Sequence, residues 1–263
     1  MNVDGALVIE QLRWSHDRLV RELEAIGEAG LGEPSACTEW SVGRVVAHLG
    51  SGAEIAAMTL EAGRAGDEHG AGQEAMQQVW QLYDAVDDRA ATTRSISANA
   101  ALLDAFDTLT PSELETLEVP FFTGPTPLPT FAAFRLAEHA VHTWDVVVVR
   151  DPAAELQATA AHIILDAVVV PMVGRLAGDP GPGDPPVAVH LGDIDRHFVV
   201  EVEPTVRVRE PRPGEEHGAH LDMSTSAFVR LVYGRLGPGR TPDSVVASEP
   251  AALERLRQIF PGF

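Results

Sequence analysis

The chain has 263 residues, 45% hydrophobic and 22% charged, a balance expected of one large or two modest folded domains rather than of disorder. Its 39 acidic and 19 basic residues leave a formal net charge of -20, which repels phosphate backbones and anionic headgroups and argues against nucleic-acid or membrane partners. There is no lysine, which excludes a Schiff-base or P-loop lysine, and the single cysteine, Cys37, excludes an intramolecular disulfide or a Cys-based zinc cluster.

Arginine in place of lysine fits a GC-rich genome. The opening MNVDGALVIEQLRW has no basic segment followed by an apolar one, so it does not read as a signal peptide. The longest apolar stretches, such as 163–173, carry Asp166 and Pro171 and read as too short to span a bilayer. A cytoplasmic location is expected.

In chain order, residues 5–28 place Leu7, Ile9, Leu12, Leu19, Leu23 and Ile26 at helical spacing. A second helix opens after Trp40, with Ser41 as N-cap, and runs to about Arg64. A third, long helical pattern covers 73–108. The prolines at 111, 120, 125, 127 and 129 predict a loop region, after which Thr130 is placed to cap a helix reaching about Arg150. A fifth helix is expected over 152–177, with Pro152 in its first turn. The stretch GDPGPGDPP (178–186) reads as a linker. Strand-like segments follow at 187–191, 197–202 and 205–209, then helical segments at 226–236 and 249–260 with a short strand at 244–247 between them. The fold class expected from this pattern is a helical bundle over 1–178 followed by a small α+β domain over 187–263.

The most informative window is FAAFRLAEHAVHTWDVVVV (131–149). On a helix, Glu138 and His142 stand one turn apart, ~6 Å along the axis, on one face. A carboxylate and an imidazole so placed can chelate one divalent ion, or can form a metal-free hydrogen bond inside the bundle. Phe134, Ala137, Val141, Val148 and Val149 flank the pair and suggest that it looks inward. Arg135, His139, Thr143 and Arg150 form an adjoining, more polar side, which argues against His139 as a ligand. In CTEWSVGRVVAHLGSGAEI (37–55), His48 follows Val42, Val45 and Val46 on an apolar helix. By itself it reads as a core histidine. Joined to the other two it makes a His2Glu set with an open fourth position, the arrangement of catalytic zinc.

WSVGRVVAHL (40–49) and RLAEHAVHTWD (135–145) resemble the DinB-like metal-binding proteins, specifically the mycothiol-dependent maleylpyruvate isomerase family of actinobacteria. The C-terminal segment is similar to that family's small sterol-carrier-like domain, so the resemblance covers nearly the whole chain. It implies a DinB-like four-helix bundle over 1–178, a divalent metal, usually zinc, held by His48, Glu138 and His142, and mycothiol as a thiol cosubstrate at the open position. Asp145 would then orient the His142 ring as an outer partner, or else make a helix-end hydrogen bond. Arg235, in LVYGRL (231–236), resembles a family arginine that can face the active-site cleft and pair with a substrate carboxylate; as a bare sequence feature it is a helix-end arginine. Arg89 and Arg94 are weaker candidates for that role.

Trp40, Trp144 and Cys37 read as packing residues. His16, His69, His162, His190, His197, His217 and His220 form no second ligand set at helical spacing, and His217 and His220 fall in a Gly-containing loop. The function implied is cis–trans isomerisation of, or S-transfer to, an electron-poor small molecule. A thiol-independent metallo-hydrolase or lyase using metal-bound water, and a non-catalytic metal-binding module, are the alternatives. Ligand type alone does not separate zinc from nickel, cobalt or iron.

Overall fold

A computed structural model describes residues 3–178, 185–202, 205–215 and 218–262. The chain divides into two compact units, Asn2–Ala154 and Glu155–Phe263.

In the first unit, α1 (Gly5–Ile26) starts where the Asp4 carboxylate accepts from the backbone N–H groups of Ala6 and Leu7, at 3.0 and 3.2 Å. It stops at Gly27, whose φ of 70° suits glycine. Ser41 caps α2 (Val42–Ala65) as expected, accepting from the Arg44 N–H at 3.1 Å. The single long helix expected over 73–108 is two, α3 (Gly72–Asp84) and α4 (Asp88–Asp107). The Asp87 carboxylate accepts from the Ala90 N–H at 2.8 Å and opens a new helix, a local bond that wins over continuation of the old one.

The proline-rich region is not only loop. It holds α5 (Pro111–Thr116), fixed by a Thr110–Glu113 capping box, and a ribbon of β1 (Glu118–Phe121) and β2 (Gly124–Pro127). Both strands of a two-stranded ribbon are edges, where proline's missing N–H is tolerated, and Pro120 sits opposite Pro125. Pro129 lies in the first turn of α6 (Leu128–Val147), so this helix begins before Thr130 rather than at it.

Helices α1, α2, α4 and α6 form the expected four-helix bundle. Leu19, Leu23, Val42, Val45, Val46, Leu49 and Val146 fill one part of its core. Where α2 crosses α4, a Cβ on Gly50 would stand 2.6 Å from the Ser95 Cα, so the approach requires glycine.

The second unit opens with α7 (Ala158–Ile164), a π-helical turn (Leu165–Val169) and α8 (Val170–Leu176). The helix starts at 158 rather than 152, capped by the Gln157 side chain on the Ala160 N–H at 2.7 Å. The π turn ends two residues before Pro171, which has no N–H to donate and whose ring crowds the carbonyl one turn back. By length and composition Ala158–Leu176 is apolar enough to cross a bilayer, unlike the sequence expectation, and 44% of it is buried within the protein. Asp166 is bonded to Arg196 at 2.6 Å, and Leu156 N–H to Ser226 Oγ at 3.0 Å. These bonds hold the stretch with the strand at Arg196 and the helix at Ser226 that follow. The compact division therefore falls near 154, ahead of the boundary expected at 178–187, and residues 179–184 of the expected linker lie outside the described residues.

The sheet contains β3 (Val187–Leu191), β4 (Arg196–Glu201), β5 (Arg207–Arg209) and β6 (Ala219–Met223); α9 (Thr225–Val232), β7 (Val246–Ala247) and α10 (Pro250–Ile259) complete the unit. Strand order is β5-β4-β3-β6-β7, with β3 antiparallel to β4 and parallel to β6. Val187, Val189, Leu191, Phe198 and Leu221 alternate onto the buried face. Strand β6 replaces part of the expected loop and carries His220, while His217 lies outside the described residues. A small α+β unit thus follows the bundle.

Candidate metal centre

His48 projects from α2, and Glu138 and His142 from α6. His48 Nε2 lies 3.3 Å from Glu138 Oε2, and His142 Nε2 lies 3.9 Å from the same oxygen. The two imidazoles meet edge to face with centroids 4.9 Å apart. One donor atom from each of the three residues falls within 4.8 Å of the others. Donors around a tetrahedral ion with bonds of about 2.0–2.2 Å stand roughly 3.3 Å apart, so the set fits a divalent ion with side-chain adjustment alone.

Asp145 Oδ2 lies 2.9 Å from His142 Nδ1, and Asp145 is fully buried. An Nδ1–H donated to that carboxylate leaves Nε2 as the acceptor on the Glu138 side. The Asp145 backbone carbonyl in turn accepts from the Ala36 N–H at 2.9 Å and anchors the loop before α2. In that loop Ser35 Oγ donates to the Trp40 carbonyl at 2.8 Å. Trp40, expected as packing, packs on the site itself: its ring centroid is 5.2 Å from His48 and 6.0 Å from His142. Cys37 is buried, with its sulfur within 4.8 Å of donor atoms of His142 and Asp145. Trp144 is a core residue whose indole N–H donates to the Ala154 carbonyl at 2.7 Å.

Burial on α6 follows expectation for His142 but not for Glu138, Arg135 or His139. The Glu138 side chain is 46% exposed and that of His142 12%, whereas Arg135 and His139 are 6% and 0% exposed. The polar side faces inward because it finds partners there. Arg135 donates to the Leu49 carbonyl and to Asn99 Oδ1, both at 2.7 Å. His139 Nδ1 lies 2.9 Å from Ser15 Oγ and 3.1 Å from Thr143 Oγ1, so His139 is outside the trio. Burial pushes the Arg135 guanidinium down to about 10. Burial also holds the His139 imidazole well below its ordinary range, helped by the Arg135 charge. For Glu138 the loss of water to the packed helices acts upward, but the His48 hydrogen bond and the charges of His142, His48 and Arg135 outweigh it and bring the carboxyl to about 2.

A cleft of ≈ 240 Å³ opens beside His48, walled by Trp40, Trp80 and Tyr83, with Arg44 and Asp84 among its polar lining. The Tyr83 hydroxyl donates to Glu54 at 2.8 Å, and Arg94 clamps the same carboxylate at 2.7 and 2.9 Å. Arg94, a candidate substrate cation by sequence, is thus committed to Glu54. Arg89 makes an exposed ion pair with Glu28 at 3.4 Å. Arg235 belongs to the second unit, 7% exposed, with Nη1 donating to the Tyr233 carbonyl at 2.7 Å. Trp80 and Tyr83 escaped sequence reading because on α3 they carry only ordinary helical spacing.

Fold and site define a helical-bundle protein with a His2Glu cluster between two of its helices, joined to a small α+β unit. The model of the mycothiol maleylpyruvate isomerase N-terminal domain matches residues 12–147, more than half of the chain, and the protein belongs to that family. Among solved structures, the crystal structure of the mycothiol-dependent maleylpyruvate isomerase is similar at a TM-score of 0.69 and 16% identity, covering 94% of this chain and 96% of that one. A histidine-to-alanine mutant of such an isomerase matches at 0.67 and 15%, with the same coverage. At these identities the likeness establishes the fold. No curated protein matches.

Proposed function

We propose that this chain is an enzyme using mycothiol as thiol cosubstrate, with a divalent ion held by His48, Glu138 and His142, for cis–trans isomerisation of, or S-transfer to, an electron-poor small molecule. The observation that carries this reading is the convergence of the three donors on one point, in a chain of this family. A divalent ion there would supply acidification of the thiol, which at a free pKa of ~8.5 is only a small fraction thiolate near neutrality.

The protein's own groups do the rest. His48, Glu138 and His142 supply the donors, and Asp145 fixes the His142 ring in the tautomer that presents Nε2. Trp40 packs against both imidazoles and limits how far either ring can turn. The cleft beside His48 offers aromatic faces and the exposed Arg44–Asp84 ion pair to an uncharged sugar–inositol cosubstrate. In isomerisation, a C–S bond forms as the π pair of the electron-poor double bond moves onto its withdrawing group. The resulting single bond rotates, and the reverse shift expels the thiolate with the alkene inverted. Two imidazoles and a carboxylate suit zinc among divalent ions. A cytoplasmic location, where thiols stay reduced, belongs to this reading.

Metal analysis together with turnover of maleylpyruvate, with and without mycothiol, tests the proposal. The wild-type protein is expected to hold a divalent ion tightly and to need the thiol; His48→Ala is expected to lose both the ion from the bundle and the turnover. Turnover that needs metal but no thiol would move the protein to the hydrolase or lyase class, and a bundle that takes up no metal would overturn the reading.

A further inference from the structure

A second group of donors lies in the other unit, in HLGDIDRH (190–197), the hairpin joining β3 to β4. His190 and His197 are directly paired across the two strands. Their neighbours Val189, Leu191 and Phe198 are buried, so both imidazoles stand on the opposite face of the sheet. The rings stack with centroids 4.4 Å apart. Asp195, in the turn, takes a left-handed backbone (φ 49°) and brings Oδ1 to 3.2 Å from His190 Nε2 and 3.9 Å from His197 Nε2. From the other side Asp222, opposite His190 on β6, places Oδ1 2.8 Å from His190 Nδ1. That is the relation Asp145 has to His142: a carboxylate on one ring nitrogen that turns the other toward the cluster.

From this geometry we propose a second cation site, formed by His190, His197 and Asp195 with Asp222 as outer partner, taking a borderline divalent transition ion. The donors lie within 4.8 Å of one another. Two nitrogens and one oxygen suit Zn2+, Ni2+, Co2+ or Cu2+ rather than Ca2+ or Mg2+, which prefer oxygen alone. Parallel rings do not aim both lone pairs at one ion, so binding turns one of them. His197, with a side chain 60% exposed, has the room to turn. Solvent completes the coordination, and the chain's net charge of -20 favours cation over anion. The site is independent of the bundle trio, being built on a different unit.

Zn2+ titration by calorimetry, with Co2+ absorption as a spectroscopic check, tests this on the full chain. With His48→Ala and His142→Ala in place, one ion per chain is expected to remain bound. Adding His190→Ala or His197→Ala is expected to weaken it by at least the about 10–100-fold seen on losing an outer-shell partner. His69→Ala, an exposed histidine of the bundle, is expected to change nothing. If the bundle variant does not fold, the wild-type protein and His190→Ala, His197→Ala are compared, and the stoichiometry should fall by one. An unchanged stoichiometry, or no binding once the bundle trio is removed from a folded chain, overturns the proposal. Should the bundle reading alone be wrong, the wild-type protein binds one ion and the hairpin variant none.

Discussion

The carboxylate of Asp145 and the imidazole of His142 sit 2.9 Å apart, three residues along one helix, with the aspartate wholly buried and the histidine nearly so. A buried carboxylate needs such a partner, and a ring nitrogen so engaged commits the other nitrogen to the cluster with Glu138 and His48. Asp145→Asn keeps the size and removes the charge. It is expected to lower zinc affinity by about 10–100-fold while the bundle still folds. A competition titration against a chelator checks this, and an unchanged affinity would reduce Asp145 to a helix-end contact.

Trp80 lines the cleft beside His48 from a different helix, α3, and is 46% exposed. Trp80→Ala is expected to raise the KM for the thiol by roughly tenfold, about 1.4 kcal/mol of binding, with metal content unchanged. Steady-state kinetics beside metal analysis separates this outcome from general damage.

The buried His139 is expected to make the metal-free protein lose stability in acid. Its folded pKa lies well below the ordinary 6.5 because of burial and the Arg135 charge. As pH falls through 6.5 the unfolded chain takes up a proton that the folded one refuses. Stability from this group is therefore full above 6.5 and declines below it, by up to about 1.4 kcal/mol per pH unit until the folded pKa is reached. Urea unfolding of chelator-treated protein from pH 7 to 5 should show the slope, and His139→Gln should flatten it.

Gly50→Ala is expected to destabilise the bundle by about 1–3 kcal/mol, because the new methyl would stand 2.6 Å from backbone at Ser95 and force α2 from α4. Denaturant midpoints measure the loss. Gly50 is two residues from His48, so metal affinity should fall in the same variant.

Much of this architecture could be read from local pattern. Glu138 and His142 share a face because four residues make about one helical turn, and Ser41 announced its helix by capping chemistry. Alternating apolar residues marked β3 for the same kind of reason. The break at Asp87 and the ribbon at 118–127 were missed, because a cap inside a periodic run and prolines on paired edges contradict the average signal. His48 by itself reads as a core histidine and gains weight only in combination, as no spacing ties it to a carboxylate 90 residues away. Helical spacing does not bring His190 to His197, since only strand pairing across a turn joins them.

The sequence by itself determined which residues share a turn or alternate along a strand, because those relations depend on a repeat a few residues long. Tertiary packing alone decided which face of α6 is buried, that α3 adds Trp80 and Tyr83 to the cleft, and that Asp145 reaches His142 in a closed interior. These depend on whether distant groups satisfy a buried charge or hydrogen bond. Arg135 and His139 went inside because Leu49, Asn99 and Ser15 were there to receive them.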